Sequence, residues 1–553
     1  MDLPSTPART APTGSHVLAA TRRSPVRGPR VADRPRRRPD LLLGIAATVL
    51  AGFVFSFRLG VPSPWRDEAV TVAVASRSTE EIWRLVQHVD LVHAPFYFLA
   101  HLFFGSAVSV TEARSLSVVA AALTAPLLYG LTRRVALSGA GPRRARLAGA
   151  AAAALWISMP FVSRYAQEAR PYAAAALLAT LSTYVLVRAS TASTTPSRRG
   201  WWIGYTVSIP LIVSFNTVAV LVLLAHAGWV LAATRGVAVR AGFAVLAGLL
   251  LALPLLVAQD AQREQVAFLL TPTLAELGEH FVLCLGSALG TVIAGVGAVL
   301  VVWRARARRL VVLGLLWGVV PIPLLWTLSQ LRPLWTTRYL VFVAPGTCLL
   351  LAGIATVTLP LLPRLLFPRL LRAGQVRAGQ VRAGQVRAGQ VRVHWVPAAL
   401  TVLLVSGMAV TGLHMQRVFR DPEIGHAENL RGTAQYLAAN ARPGDGLLFV
   451  PDGDYRYRIL TQLYPQVFDQ LSDIALAQPA ASSATLVGVS LPADQLAGAL
   501  AGVSRVWVVG GRGPVVTATA TDRETVRLLT QGYVLAGERE LGAFSVRLYL
   551  TRT

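Results

Sequence analysis

Residues 40–69 read DLLLGIAATVLAGFVFSFRLGVPSPWRDEA. The stretch 41–59 has Arg58 as its single charged residue, and it approaches the roughly 20 apolar residues that an α-helix needs to cross a bilayer. A charged cluster, Arg66, Asp67 and Glu68, follows shortly after it. The stretch therefore predicts a membrane span that delivers two acids and an arginine to the surface of the bilayer.

The composition of the whole chain is that of a membrane protein. Of its 553 residues 54% are hydrophobic and only 14% charged, with a mean hydropathy of +0.52, whereas soluble domains have about 25% charged residues. The formal net charge is +26, and the sequence contains arginine but no lysine. Because these arginines lie in short segments beside apolar spans, we interpret them as topology signals that contact anionic lipids. A nucleic-acid-binding function is not indicated.

About eleven stretches are long and apolar enough to be transmembrane helices. They lie near residues 41–59, 115–132, 147–162, 172–188, 201–214, 217–233, 241–258, 285–303, 310–328, 339–359 and 395–413.

Arginine clusters occupy alternate gaps between these spans. The basic segments are the amino-terminal tail 1–40 and parts of the gaps 133–146, 188–199, 235–240, 304–309 and 360–394. By the positive-inside rule these segments face the cytoplasm, which places the intervening gaps outside. We therefore expect a multi-pass protein of the plasma (inner) membrane with a cytoplasmic amino terminus and an extracytoplasmic carboxyl terminus.

Two of the basic segments are predicted to lack a packed core. The tail 1–40 is rich in arginine and proline, so we expect a disordered cytoplasmic tail and not a cleaved signal peptide. Residues 372–391, in the cytoplasmic loop 360–394, are four tandem copies of Arg-Ala-Gly-Gln-Val. The repeat is interpreted either as a sequence expansion or as a basic arm that binds lipid.

The extracytoplasmic regions are predicted to be partly folded. In the first outer loop, 60–114, Ser78 and Glu81 form a capping-box pattern that begins a short amphipathic helix. The apolar stretch 93–105 is too short to cross the bilayer, so we expect an interfacial or re-entrant helix.

Beyond residue 413 the composition becomes that of a soluble α/β domain. The pattern predicts a helix over 428–440 and strands over 446–450, 505–509 and 543–550. The predicted fold is thus a polytopic α-helical membrane protein of about eleven transmembrane helices, 41–413, followed by an extracytoplasmic α/β domain, 414–553.

The polar residues of the outer loops suggest a chemistry. A carboxylate such as Asp67 can take a proton from a hydroxyl group, and arginines can bind a phosphate and stabilise its charge as it leaves. At a lipid surface this combination suits the transfer of a group from a lipid phosphate to an alcohol. Plainer interpretations stay open for several of these residues. They are a helix N-cap and first-turn acid for Asp67 and Glu68, a structural loop histidine for His93, an i,i+4 ion pair for Arg164 with Glu168, and a headgroup anchor for Arg338.

Four segments in order carry a resemblance to a known family. They are residues 65–69 (WRDEA), 93–98 (HAPFYF), 167–173 (QEARPYA) and 338–340 (RYL). They resemble the Asp-Glu pair after the first span, a His-Pro-Pro-Leu-Tyr-Tyr-like segment, a Gln-Glu-Ala-Arg-x-Tyr-Ala segment and an Arg-Tyr-Leu of the GT-C glycosyltransferases. The branch concerned uses dolichyl- or polyprenyl-phosphate sugars and includes the protein mannosyltransferases and the aminoarabinose lipid A transferase. The second segment keeps only the histidine, one proline and one tyrosine of the family pattern.

The resemblance implies a GT-C-like fold over 41–413 and a mechanism. A sugar, possibly mannose or a pentose, would pass with inversion from a polyprenyl-phosphate donor to a hydroxyl of a glycan, lipid or protein acceptor. Asp67 would be the catalytic base, and Glu68 would orient a helix or the acceptor. Asp90 would be a second acid, which some relatives use with a divalent cation that Asp67 and Asp90 would hold here. The residues implied to bind substrate are Asp90, His93, Tyr97, Arg164, Glu168, Arg170, Arg338 and Tyr339.

Two functions of other classes stay open at this point. A transporter or flippase of lipid-linked saccharides predicts charged residues within the spans, near the midplane of the bilayer, and inverted repeats. The predicted spans contain almost no acids, and the two halves of the sequence show no obvious symmetry. A non-catalytic scaffold that anchors the outer domain predicts that Asp67 contributes to stability alone.

Overall fold

A computed structural model describes residues 37–192, 195–285, 308–358, 426–513 and 519–552, together with 406, 407, 410, 412, 415–422 and 517. The predicted tail 1–40 and the repeat 372–391 lie almost wholly outside these residues.

The membrane part is built of helices joined by short turns. Its helices are α1 (Arg37–Ser56), α2 (Arg66–Ala75), α3 (Thr79–Val86), α4 (Ala94–Phe104), α5 (Val110–Ala140), α6 (Pro142–Ser158), α7 (Pro160–Ala166), α8 (Tyr172–Thr191), α9 (Thr195–Phe215), α10 (Val222–Ala233), α11 (Ala238–Ala261), α12 (Leu274–Leu285), α13 (Arg308–Gly318), α14 (Pro321–Leu331) and α15 (Ala344–Gly353). Short 3₁₀ turns cover Leu91–His93, Thr217–Leu221, Arg235–Val237, Arg263–Val266 and Thr337–Val343, and a π-helical turn covers Ile354–Thr358.

Within the described residues, six helical segments are long and apolar enough to cross a bilayer. They are Pro39–Ser56, Val110–Leu137, Tyr172–Thr191, Arg235–Ala261, Arg309–Ser329 and Thr337–Thr356. A seventh span results if α6 and α7, which meet at 62°, are one broken helix. The bend follows from Pro160, because a residue before proline avoids the helical region, and Met159 has a ψ of 116°.

These seven segments overlap seven of the eleven predicted spans. The predicted spans 201–214 and 217–233 lie in α9 and in the shorter apolar helix Thr217–Ala233, neither of which meets the same criteria. The predicted spans 285–303 and 395–413 fall almost entirely outside the described residues. The multi-pass helical architecture is therefore confirmed, and the count of about eleven is not.

The helices pack closely through small residues and turn long apolar side chains outward. A Cβ on Gly318 or Gly346 would collide with the backbone of the other helix, so glycine is what lets α13 and α15 touch. On α11, by contrast, Phe243, Leu250 and Val257 are more than half exposed. Such a surface is expected where a helix faces lipid.

The first outer loop folds as the sequence predicts. Ser78 and Glu81 form the capping box that starts α3, and the apolar stretch 93–105 contains α4. The side chains of Ile82, Leu85 and Val86 on α3 are buried.

The carboxyl-terminal domain is an α/β unit. Its strands are β1 (Gly446–Val450), β2 (Ser472–Asp473), β3 (Leu476–Gln478), β4 (Val489–Ser490), β5 (Arg505–Gly511), β6 (Tyr533–Leu541) and β7 (Phe544–Thr551). Its helices are α16 (Leu430–Asn440), α17 (Tyr455–Leu463), α18 (Pro465–Phe468), α19 (Leu496–Leu500) and α20 (Ala520–Gly532), with a 3₁₀ turn at Ala493–Gln495.

Five strands form one mixed sheet in the order β2-β1-β5-β7-β6, and β3 pairs with β4. The interior strand β1 is parallel to β2 and β5, and all five of its residues are buried, as expected for a strand covered on both faces. The predicted helix and the three predicted strands are confirmed, with boundaries that differ by no more than two residues.

The first outer loop and the carboxyl-terminal domain share one hydrophobic core. Its buried residues include Ala69, Val70, Ala73 and Val74 of α2, Ile82, Leu85 and Val86 of α3, and Leu437, Ile459, Leu460 and Phe544 of the domain. Polar contacts cross the same boundary: Arg431 donates to the carbonyl of Val61 at 2.9 Å, and Arg77 donates to Gln462 at 3.1 Å. The domain is therefore held firmly against the loop that carries Asp67.

Candidate active site

Asp67 lies in the first turn of α2, one residue after the helix begins. The N-cap is Trp65, whose side chain makes no capping hydrogen bond. Asp67 is only 8% exposed. Its Oδ2 atom is 3.8 Å from Nη2 of Arg170 and 4.0 Å from Nη2 of Arg338. The structure thus places one carboxylate between two arginines that come from distant parts of the sequence.

The other oxygen of this carboxylate has different neighbours. Oδ1 of Asp67 is 3.9 Å from Nε of Arg66, and it accepts a hydrogen bond of 3.2 Å from the hydroxyl of Tyr455. Tyr455 opens α17, so the carboxyl-terminal domain contributes directly to this cluster.

A cavity of about 460 Å³ opens above Asp67. Its lining comes from the first outer loop, the segment before α8, the turn after α11, the Arg338 turn and the carboxyl-terminal domain. The polar lining residues are Arg66, Asp67, Asp90, His93, Arg170, Tyr172, Gln265, Arg338, Tyr339, Asp454, Tyr455 and Arg456.

Arg170 is held in place by contacts on several sides. The chain turns between α7 and α8 at residues 167–171, which directs Arg170 toward α2. Its Nη1 donates to the carbonyl of Asp67 at 3.2 Å and to the hydroxyl of Thr71 at 3.3 Å, and Nη2 contacts Nε2 of His93. Because Arg170 is only 4% exposed, its charge acts in a poorly solvated environment.

Arg338 is oriented by aromatic rings. Its guanidinium lies 5.3 Å from the ring centroid of Trp65 and 5.9 Å from that of Tyr339. Both are within the range of cation–π contacts. Arg338 is thus packed beside the cavity and is not a loosely exposed headgroup anchor.

The buried side chains of His93 and Tyr97 and the half-buried side chain of Asp90 form a polar group at one side of the cavity. Burial, together with the charges of Arg170 and Arg338, lowers the pKa of His93 well below its usual value, so His93 is neutral near pH 7. Asp90 has a left-handed backbone with a φ of 62°, and its Oδ2 accepts a hydrogen bond of 2.6 Å from Tyr97. Burial also raises the pKa of Asp90.

Glu68 does not line the main cavity, although it directly follows Asp67; it lines a second, smaller cavity beside Arg114. Its two carboxylate oxygens each accept a hydrogen bond of 2.7 Å from Arg114, and Oε1 also accepts one of 2.8 Å from the amide of Ala169. Glu68 is 1% exposed. The two adjacent acids therefore have different surroundings, and Asp67 alone lines the cavity.

Arg164 and Glu168 are also separated from Asp67. They line the second cavity, of about 270 Å³, together with Trp65 and His426. Arg164 is 3.6 Å from Oε1 of Glu168, which confirms the i,i+4 ion pair, and His426 is 2.7 Å from the same atom. Although burial acts to raise the pKa of Glu168, the charges of His426 and Arg164 lower it.

Tyr339 lies between the main cavity and an adjoining one. The adjoining cavity, of about 280 Å³, has apolar lining residues such as Phe215 and Leu256 and polar ones such as Asp260 and Arg332. The carbonyl of Tyr339 accepts a hydrogen bond of 2.9 Å from Asn216. Of the predicted substrate-binding residues, Asp90, His93, Arg170, Arg338 and Tyr339 line the main cavity, whereas Tyr97 supports it from behind.

Several residues of the site were not predicted from the sequence. Tyr455 is one, and Arg66 was noted only as part of the charged cluster. Arg66 is held by Glu428, which pairs with its Nη1 at 2.8 Å and accepts from its backbone amide at 2.8 Å. The segment 452–458 (DGDYRYR) contains a turn, a helix-capping aspartate and alternating aromatic and basic residues. This unusual density of polar residues is the feature of the sequence that could have indicated Tyr455 as a site residue.

The residues around Asp67 do not fit the divalent cation that the family resemblance implies. Within the ranges that the structure describes, no group of three or more histidines, cysteines or acids is arranged to hold a metal. Asp67 is surrounded by guanidinium groups, which repel a cation, whereas Mg²⁺ and Ca²⁺ require several oxygen ligands. The arrangement of charges around Asp67 therefore favours an anion over a metal ion at this position.

Solved structures of ArnT share this architecture. The crystal structure of ArnT from Cupriavidus metallidurans bound to undecaprenyl phosphate matches with a TM-score of 0.52 at 15% identity, over 92% of this chain and 97% of ArnT. The chain has the fold of ArnT. The apo state of ArnT matches with the same TM-score at 14% identity, over 93% and 98% of the two chains. The Archaeoglobus fulgidus oligosaccharyltransferase, tethered with an acceptor peptide, matches with a TM-score of 0.49 at 12% identity, over 86% and 69%.

ArnT is the aminoarabinose lipid A transferase and a member of the GT-C superfamily. The resemblance predicted from four short segments is thus confirmed at the level of the fold. No protein-family model and no curated protein sequence matches the chain.

Proposed function

We propose that the protein is a membrane glycosyltransferase that moves a sugar from a polyprenyl-phosphate donor to an acceptor hydroxyl, with Asp67 as the general base. One observation supports this most: a buried carboxylate faces a cavity between two arginines in a fold shared with ArnT bound to undecaprenyl phosphate.

Arg170 and Arg338 are the proposed partners of the donor phosphate. Their guanidinium groups lie at the same carboxylate oxygen, and both line the main cavity. Guanidinium groups suit phosphate because they offer paired donors and keep their charge. The apolar part of the adjoining cavity is lined by Leu256 of α11, whose outer face carries exposed side chains such as Leu253 and Val257. A prenyl chain placed there would pass from lipid to the arginines.

The proposed reaction is a direct displacement with inversion. The acceptor oxygen attacks the anomeric carbon, Asp67 takes the proton of the acceptor hydroxyl, and the bond from the anomeric carbon to the phosphate oxygen breaks. The electron pair of that bond leaves with the polyprenyl phosphate, whose negative charge Arg170 and Arg338 stabilise. Because a phosphate is already a weak base, no separate acid is needed to protonate it.

Three further residues are proposed to shape the sugar site. Neutral His93 contacts Arg170 and holds it toward the cavity. Asp90 offers carboxylate oxygens to sugar hydroxyls, and Tyr97 fixes its orientation through their hydrogen bond. Tyr339 gives the sugar an aromatic wall. Glu68 is proposed to position α2 and to take no part in the reaction.

The reaction is proposed to occur on the outer face of the plasma membrane. At the far end of α1 from the Asp67 loop, Asp40 pairs with Arg133 at 3.0 Å and with Arg146 at 3.2 Å. Both arginines belong to the basic gap 133–146, which the positive-inside rule assigns to the cytoplasm. The Asp67 cavity then lies outside, together with the carboxyl-terminal domain.

The direct test is sugar transfer by the purified protein in proteoliposomes. Radiolabelled donors with different sugars on a synthetic polyprenyl phosphate are supplied with glycan, lipid and peptide acceptors, and the anomeric configuration of the product is determined. We expect transfer with inversion by the wild type and by Asp469→Asn, an exposed acid outside the cavity, but not by Asp67→Asn. Movement of an intact lipid-linked saccharide across the bilayer without transfer would favour a flippase, and no activity of either kind would favour a scaffold.

A further inference from the structure

Tyr455 brings the carboxyl-terminal domain into contact with the reacting carboxylate. Its hydroxyl donates a hydrogen bond of 3.2 Å to Oδ1 of Asp67, a residue 388 positions earlier in the chain. The arginines at 3.8 and 4.0 Å are closest to the other oxygen, Oδ2. The two oxygens of Asp67 are therefore not equivalent.

The position of Tyr455 is fixed by the fold of its domain. The chain leaves the interior strand β1 at Val450, and Asp454 caps α17 by accepting a hydrogen bond of 3.0 Å from the amide of Arg456. Along α17, Ile459 and Leu460 are fully buried in the core shared with α2. Because α2 carries Asp67, one packed interface sets the distance between the two side chains.

The chemical state of Tyr455 suits a hydrogen-bond donor. Burial, and then the negative charge of Asp67, raises the pKa of Tyr455, so the phenol keeps its proton at physiological pH. A neutral donor can stabilise a carboxylate without adding another positive charge to a site that already has three arginines.

We propose that Tyr455 is a positioning residue for Asp67, and that its hydroxyl engages Oδ1 so that Oδ2 is the oxygen that receives the acceptor proton. The inference rests on the proposed function. It assigns the carboxyl-terminal domain a part in the reaction, because the membrane helices alone leave Oδ1 without this donor.

The charged and titratable groups that face Asp67 come from five parts of the chain. They are Arg66 on α2, Asp90 in the first outer loop, Arg170 and Tyr172 around the start of α8, Arg338 and Tyr339 in the turn before α15, and Glu428 and Tyr455 of the carboxyl-terminal domain. Replacement of Tyr455 by phenylalanine changes one of these groups and leaves the others in place.

The test combines kinetics with a double-mutant cycle. In Tyr455→Phe we expect kcat to fall about tenfold while KM stays nearly unchanged, because a hydrogen bond to a charged group is lost. For the same reason we expect the acid limb of the pH profile of kcat to move to higher pH by about one unit. The matched control is Tyr457→Phe, whose ring packs 5.3 Å from Phe544 and does not line the cavity. We expect this control to keep both the rate and the pH profile of the wild type.

The second readout does not depend on turnover. Unfolding temperatures of the wild type, Asp67→Asn, Tyr455→Phe and the double variant report whether the two side chains interact, and we expect a departure from additivity of about 2 °C or more. Additive effects would overturn the contact itself. A departure from additivity with an unchanged acid limb in Tyr455→Phe would overturn the positioning role. A wild type that transfers no sugar from any donor would overturn the proposed function.

Discussion

The buried ion pair between Glu68 and Arg114 predicts that replacing Glu68 lowers the stability of the protein without abolishing catalysis. Both oxygens of Glu68 accept hydrogen bonds of 2.7 Å from Arg114, and the two side chains are 1% and 3% exposed. Arg114 also donates to the carbonyls of Leu59 and Pro62 at 2.8 and 3.0 Å, so the pair fastens the segment before α2 to α5. Glu68→Gln keeps the shape of the side chain and removes its charge.

The expected cost follows from burial. Removing one partner of a buried ion pair leaves the other charge uncompensated and costs about 3–5 kcal/mol. Since neither side chain is appreciably exposed, no discount for solvent screening applies. At about 2 °C per kcal/mol for a cooperative unit of a few hundred residues, the unfolding temperature should fall by about 6–10 °C. The molecules that stay folded should still transfer sugar, because Asp67 keeps its own partners.

The assay uses the protein's own thiols. Cys284 and Cys348 are both free and buried, so a thiol-reactive dye reports unfolding in detergent. The matched control is Glu112→Gln, an exposed acid two residues before Arg114 whose capping role a glutamine can keep, and its unfolding temperature should stay within about 2 °C of the wild type. An unchanged unfolding temperature in Glu68→Gln together with complete loss of transfer would refute this reasoning and make Glu68 a catalytic residue.

Three further predictions concern the phosphate site, pH and sidedness. Arg170→Gln should lower kcat/KM for sugar transfer at least 100-fold by removing a phosphate contact, whereas the exposed Arg442→Gln should not; equal rates in radiolabel transfer would contradict the assignment. Because burial raises the pKa of Asp473 to about 6 from an ordinary 3.8, its contribution to stability is fully present below pH 4 and lost as pH rises through 6. The unfolding temperature of the wild type should therefore fall by a few degrees between pH 5 and 7, and this fall should be smaller in Asp473→Asn. The same pH dependence of the unfolding temperature in the variant and the wild type would contradict the prediction. A membrane-impermeant maleimide added to intact cells should label Ser482→Cys but not Arg143→Cys. The reverse pattern would show that the protein has the opposite orientation in the membrane.

Patterns along the chain predicted the elements well where one physical signal acts locally. The capping box at Ser78 and the buried strand 446–450 were found because hydrogen-bond and burial patterns repeat over a few residues. The number of spans was harder to predict from the sequence, because apolar stretches such as 217–233 are helical but too short to cross the bilayer fully. Apolar composition alone does not distinguish a full span from a short helix packed against others.

The site was predictable only in part, because it is assembled from distant segments. Asp67, Arg170 and Arg338 lie in short motifs, so they could be predicted from the sequence as members of one site. The division of roles between Asp67 and Glu68 could not be read from the sequence, since it depends on which side of α2 each acid faces. Tyr455 was not predicted because its contact depends on how the carboxyl-terminal domain docks on α2.

The central claim is that Asp67 accepts the proton of the acceptor hydroxyl, and single-turnover transfer with bound donor measures this step directly. A positioned general base contributes about 10²–10⁴-fold to a rate. We predict that Asp67→Asn binds the polyprenyl-phosphate donor within a few-fold of the wild type and transfers its sugar at least 100 times more slowly. A variant that binds the donor normally and transfers the sugar at the wild-type rate would contradict the account.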